Sequence, residues 1–221
     1  MNPIEGLPAY QQFCGSDLTG TLSRAETALR GAAGNLAPTL AALNATKEAL
    51  AAAGELKRIA SQVNVAIHAL GILLCLPRIL ESGERVEYVS LGAGNTGRPF
   101  DLETDRRIAE FKFITWQGGA ESIRQNSLFK DFFFLAENPT AKHKHIYLLE
   151  TDRPLRFLNG GRALSSVLKD APLAQAFRAK FSDQYRTVRE YFVPRQSQVQ
   201  IHDVSGWLPG LTRIEVVEEP D

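Results

Sequence analysis

Between Arg107 and Leu149 the chain changes its hydrophobic period twice, and this narrows the fold more than any other feature of the sequence. Arg107-Ile-Ala-Glu-Phe-Lys-Phe-Ile114 alternates as a strand does, its side chains pointing to opposite faces in turn. Trp116-Gln-Gly-Gly119 interrupts it. The next stretch, from about Ala120 to Glu137, is expected to be a helix with Ile123, Phe129, Phe132 and Phe133 on its core side, closed by Asn138-Pro139. His145-Ile-Tyr-Leu-Leu149 then reads as another strand. A helix bridging two strands is the crossover that a parallel pair requires. An α/β fold follows.

Two further strands precede this unit. Arg85-Val-Glu-Tyr-Val-Ser-Leu91 alternates polar and apolar residues, and Arg98–Thr104 is a second short strand. The loop Gly92–Gly97 has a glycine pattern but no helix after it, so it is not a dinucleotide fingerprint. Asp105-Arg-Arg107 suits a hairpin turn. Upstream, Leu56 to Leu80 carries Ile59, Val63, Ile67, Leu70 and Leu74 at helical spacing, with Pro77 and Gly83 marking its end. From Ala66 onward this helix is apolar almost all round, which predicts burial. Its greasy part, Val63 to Leu80, contains Asn64, His68, Pro77 and Arg78 and reads as a core helix rather than a membrane span.

Residues 16–57 are rich in Ala, Leu and Thr. Ser16 or Asp17 suits the cap of one helix, Gly31 and Gly34 interrupt it, and Pro38 opens a second with Leu40, Leu43 and Leu50 as its apolar side, ended or bent at Gly54. Beyond residue 150, two helices around 160–192 and strands at Val199–Val204 and Thr212–Glu218 are expected. The expected organisation is a helical extension over 1–57 followed by one domain over 58–221.

Acidic and basic side chains number 25 each, so the net charge is zero. That counts against broad non-specific nucleic-acid binding while leaving room for a local basic groove. Cys14 and Cys75 give neither a disulfide framework nor zinc spacing, and Cys75 lies in an apolar run where a small buried hydrophobe is expected. With no basic and apolar leader at the start, a cytoplasmic protein is expected. Lys142-His-Lys-His145 reads as a solvated loop. No nucleophile elbow is present.

The chemistry-bearing residues lie on the hairpin Phe100–Phe113. Glu110 and Lys112 share one face of the third strand, while Ala109, Phe111 and Phe113 share the other. A tight turn pairs this strand with the second, and a suitable register brings Asp101 beside Glu110 with Lys112 one step along. Two adjacent carboxylates raise each other's pKa, and a divalent cation removes that penalty. Mg²⁺ takes one or two carboxylates plus waters and phosphate oxygens. A lysine alongside can orient or activate a water or stabilise phosphoryl charge. The bland reading is a solvated salt-bridge ladder, which the apolar flanks disfavour.

Helix, three strands, helix and strand, with Pro99-Phe-Asp101 and then Glu110-Phe-Lys112, resembles the PD-(D/E)XK nuclease superfamily over about residues 58–150. The Asp is displaced by one residue from the Pro. The resemblance implies a restriction-endonuclease-like core (α-β-β-β-α-β, mixed sheet flanked by helices). It also implies Asp101 and Glu110 as ligands of Mg²⁺ or Mn²⁺, with Lys112 aiding the attacking water. Some members add a Gln after the third strand, and here Gln117 and Gln125 qualify. Arg124 suits a phosphate. An acidic or His residue of the first helix often stands near the metal, and His68 is the candidate, although a satisfied core histidine is the simpler reading.

The expectation is a metal-dependent nuclease acting on nucleic acid, DNA in the first instance, with catalytic Asp101, Glu110, Lys112 and Gln125. Arg124, Arg98 and His68 would make nucleic-acid contacts. Arg98, Arg106, Arg107, Lys130, Lys142 and Lys144 would line the groove. The alternative is an inactive nucleic-acid or protein-binding module of the same fold, with the alanine-rich N-terminal helices offering a homodimer interface.

Overall fold

The computed structural model describes residues 3–30, 36–92, 100–116 and 121–212. The chain divides into two compact units, Met1–Asn64 and Val65–Asp221. The first contains α1 (Pro3–Cys14), α2 (Leu18–Leu29), α3 (Ala37–Ala42) and the beginning of α4 (Lys47–Ile79). Asp17 caps α2, accepting a hydrogen bond from Gly20 N at 3.0 Å. Pro38 stands in the first turn of α3, as expected. Gly54 neither ends nor bends a helix into two, because α4 runs straight through it for 33 residues. Leu50 belongs to α4, not to the helix opened by Pro38, and is exposed. Gly31, Gly34, most of the loop 92–97 and nearly all of the strand expected at 212–218 lie outside the described residues.

The second unit is built on a five-stranded mixed sheet in the order β1-β2-β3-β4-β5. These are β1 (Val86–Val89), β2 (Leu102–Thr104), β3 (Arg107–Lys112), β4 (His143–Leu148) and β5 (Gln200–Asp203). The first three pair antiparallel, and β4 and β5 continue parallel. The parallel β3–β4 step is made by α5 (Glu121–Ala136), as the crossover argument requires. Between β4 and β5 come α6 (Asp152–Leu158), α7 (Leu164–Val167), α8 (Ala171–Phe181) and α9 (Val188–Phe192). The expectation had only two helices there. α10 (Pro209–Thr212) closes the described chain.

Strand alternation divides the core. Ile108 faces Leu128, Phe129, Phe132 and Phe133 of α5 together with Phe177 and Tyr191. Ala109 and Phe111 face Ile72, Cys75 and Ile79 of α4. Gly71 belongs at this second contact, since a Cβ there would lie 2.4 Å from the Phe113 ring. Two packing expectations fail. Ile123 is 68% exposed rather than in the core. Leu70 and Leu74 of α4 are 57% and 60% exposed, so the helix is not buried all round. By length and composition alone α4 is long and apolar enough to cross a membrane.

The α4 face of β3 also carries a charge. Arg107 donates from Nε and Nη2 to the two oxygens of Glu84, both at 2.6 Å, and the Glu84 side chain is enclosed. Burial alone would raise the Glu84 pKa, but the guanidinium and neighbouring donors outweigh it and hold the carboxyl near 2. Arg107 is therefore spent on structure. Nearby, His145 is not in a solvated loop but buried on β4, its Nδ1 2.9 Å from His202 Nε2. Burial, then the second imidazole, pushes its pKa down to about 4.

Glu84→Gln leaves the Arg107 charge poorly compensated, and should cost about 3 kcal/mol in urea unfolding at neutral pH. The Glu84 pKa is lowered on folding, from 4.5 to about 2. Its contribution is therefore whole above the unfolded value and is lost as pH falls through the folded one. The gap between wild type and variant should narrow across that window. An unchanged gap would place the stabilising charge elsewhere.

Candidate active site

The hairpin register puts the first two carboxylates together. Leu102 pairs with Ala109 and Glu103 with Ile108, so Asp101, just before β2, falls opposite Glu110. Asp101 Oδ2 accepts the backbone N–H of Phe111 at 3.0 Å, which fixes the carboxylate at the end of the strand pair. Its other oxygen lies 3.4 Å from His68 Nε2 on α4. Burial would raise the Asp101 pKa, but His68, the Phe111 amide and Lys112 outweigh it and keep the group below the usual range.

Glu110 and Lys112 point to the α5 side of the sheet, where α5 contributes a residue that sequence reasoning missed. Lys112 Nζ lies 2.8 Å from Asp131 Oδ2 and 3.7 Å from Glu110 Oε2. The Asp131 contact has ion-pair distance without the angles of a hydrogen bond. Burial opposes the Lys112 charge, yet Asp131 and Glu110 more than compensate, so the ammonium stays protonated far above neutrality. Glu110 behaves oppositely. Burial, followed by the Asp131 carboxylate, pushes it up to about 10, and Asp101 acts in the same direction. Burial raises the Asp131 carboxyl too, against the pull of Lys112. The site thus holds three carboxyl groups around one cation, with Glu110 and Asp131 both shifted toward the neutral form.

This imbalance is the basis for testing a metal. The register sets Asp101 opposite Glu110, and two carboxyl groups so placed raise the cost of ionising both, a cost that a divalent ion offsets. Two carboxylates completed by water fit a hard cation such as Mg²⁺. Among the described residues, no group of three or more His, Cys, Asp or Glu is arranged to hold a metal ion. Solvent reaches the site to a limited degree, the side chains of Asp101 and Lys112 being 18% and 24% exposed and that of Glu110 only 9%.

The remaining expected site residues separate from this cluster. Gln125 is buried on α5, donating to Glu121 Oε1 at 2.9 Å and accepting a short hydrogen bond from Arg162. It therefore serves a different set of partners from the carboxylates. Arg124 is half-buried and already engaged. Gln117 and Arg98 lie outside the described residues. Each described residue of the expected basic groove has a partner. Arg106 pairs with Glu81, Arg107 with Glu84, Lys130 with Asp170, and Lys142 with Glu87 and Glu103. Lys144 donates to the carbonyls of Ala136 and Asn138.

No protein-family model, curated protein or solved structure matches the chain.

The Asp131 signal was present in the sequence. It lies three residues after Leu128 and four before Leu135, both fully buried, so it shares their arc of α5. An acid on that arc must meet a cation, and Lys112 is the cation it meets. Lys112→Met strands Asp131 and should cost about 3 kcal/mol in chemical denaturation. Adding Asp131→Asn should recover most of that loss, a coupling that a double-mutant cycle reads directly. Additive losses would mean that the two side chains do not act on each other.

Proposed function

We propose that the protein is a metal-dependent nuclease hydrolysing phosphodiester bonds, with a restriction-endonuclease-like core. The observation that carries this reading is the meeting of Asp101, Glu110 and Lys112 at one place, with more buried carboxyl than cation to balance it. Asp101 and Glu110 would hold Mg²⁺ or Mn²⁺. Such an ion, when bound, supplies neutralisation of phosphoryl charge and acidifies a water.

The chain's own residues then have distinct tasks. The Phe111 amide and His68 hold Asp101 in place and keep it ionised. Glu110 would be ionised wherever it held the metal. Lys112 already carries its proton at neutral pH, so it would act by donating hydrogen bonds and positive charge to the reacting oxygens. Asp131 positions the Lys112 ammonium from behind.

A second reading is a non-enzymatic assembly module, and the exposed Leu70, Leu73 and Leu74 on α4 favour it. Plasmid, single-stranded DNA and RNA are to be incubated with the full chain and Mg²⁺ or Mn²⁺. Cutting by wild type should fall by at least about a hundredfold in Lys112→Ala and Glu110→Ala, typical for loss of a charge-stabilising group. In parallel, the metal should raise the melting temperature of wild type and not of Asp101→Asn, which keeps the test informative if cutting is slow. Cutting that survives both alanine substitutions refutes the site. Absence of both cutting and metal stabilisation in a folded protein favours the assembly module.

A further inference from the structure

Several basic side chains among the described residues of the second unit are matched by a carboxylate within ion-pair distance, as described for Arg106, Arg107, Lys130 and Lys142. Lys180 and Arg195 converge on Glu137 in the same way. Three arginines that share one cleft are partnered differently. Arg153, Arg156 and Arg162 line a cleft of about 420 Å³ with Glu121, Gln125, Phe157 and Gly160. Arg162 is held by neutral partners, donating from Nε to Ser166 Oγ at 2.9 Å and from Nη1 to Gln125 Oε1. Arg153 donates to the Trp116 carbonyl and makes a long ion pair with Glu150 at 3.9 Å. Among the described residues Arg156 makes no hydrogen bond or ion pair, and it is exposed. The one acid lining the cleft, Glu121, is engaged by Gln125 Nε2.

Three guanidiniums line the cleft against the carboxylate of Glu121, with Glu150 at long ion-pair distance from Arg153, so basic groups outnumber acids there in a chain whose net charge is zero. Arg162 is oriented by neutral partners that leave its charge uncancelled, and planar guanidinium forks match phosphate oxygens. Its volume falls within the range of small-ligand pockets. Gln125 stands on α5 six residues before Asp131, roughly 9 Å along the helix axis. Buried Gln125 accordingly has its task here, holding Arg162 in place.

We propose that this cleft is a phosphate-binding site that takes a backbone phosphate of a nucleic-acid strand. Phosphate recognition stands on the arginines alone. The assignment of that phosphate to a nucleic-acid strand rests on the nuclease reading. A strand passing the carboxylates extends naturally to a cationic cleft on the same helix, and the outward Arg156 is placed to reach it.

The test is fluorescence anisotropy of the full chain with a labelled single-stranded oligonucleotide, in EDTA so that no cutting occurs. Arg156→Gln should weaken binding by about tenfold, the worth of a charged hydrogen bond. It should also lower the slope of log affinity against log salt by about one. Arg178→Gln, an exposed arginine of α8 outside the cleft, removes the same net charge and should leave affinity within about twofold, since rim charges far from the site are screened. Arg153→Gln/Arg156→Gln should lose more than either alone. Equal binding by wild type and Arg156→Gln overturns the proposal, as does an equal loss in Arg178→Gln. Displacement of the oligonucleotide by adenosine monophosphate or inorganic phosphate at micromolar concentration, through the same arginines, would overturn the nucleic-acid source and make a free phosphate the ligand. Cleavage assays separate the two conclusions. Intact cutting with unchanged Arg156→Gln binding removes only the cleft, whereas arginine-dependent binding without metal-dependent cutting removes only the nuclease.

Discussion

β3 has charged residues on both of its faces, and the second unit is arranged around the need to neutralise them. Arg107 points to the α4 face and Lys112 to the α5 face. Neither lies free in water, so each must be met by an acid from another element. Glu84 comes from the turn between α4 and β1, and Asp131 from the crossover helix. These ion pairs tie the central strand to a turn on one side and to the parallel crossover on the other. Hydrophobic packing alone would tolerate sliding of α5 over β3, while an ammonium set against Asp131 of that helix does not.

The two clusters differ in how completely they are balanced. Around Arg107, a fork of two hydrogen bonds and the Thr104 hydroxyl satisfy Glu84, and the carboxyl is pulled well below its ordinary range. Around Lys112 the count is lopsided. Asp101, Glu110 and Asp131 crowd a single ammonium, and Glu110 is driven up to about 10 because burial and Asp131 disfavour its charge. A purely structural cluster would be expected to resemble the first. One whose buried acid is held so far above its ordinary range is the kind of arrangement that functional sites contain.

How much of this was legible depends on whether an interaction is local. The pairing of Asp101 with Glu110 could be read from the hairpin, because a tight turn at Asp105-Arg106 fixes the register and alternation does the rest. The parallel β3–β4 step was legible for the same reason, since its length and the intervening helix leave one topology. Asp131 was missed because its partner lies on another element, and Lys130-Asp131 reads like an ordinary solvated pair until the arc of Leu128 and Leu135 is considered. His145 lies on a strand, as the reading of residues 145–149 required, while the loop reading of residues 142–145 overlooked that its ring stacks on Tyr147 and meets His202 from β5.

The same distinction bears on the expected basic groove. Along the chain, nearby acids already almost balance Arg106, Arg107, Lys130 and Lys142, and folding brings an acid to each of them from up to 55 residues away. Charge that carboxylates cancel less completely collects instead on α6 and the loop after it, because the partners of Arg162 are a hydroxyl and an amide and those of Arg153 are a carbonyl and a long ion pair with Glu150. Neutral acceptors orient a guanidinium less strongly than a carboxylate does, but they leave its field intact. An electrostatic surface is therefore decided less by where the basic residues occur than by which of them are given neutral partners. In this chain that difference separates Arg106 and Arg107, which tie β3 and its turn to Glu81 and Glu84, from the arginines that remain available to a ligand.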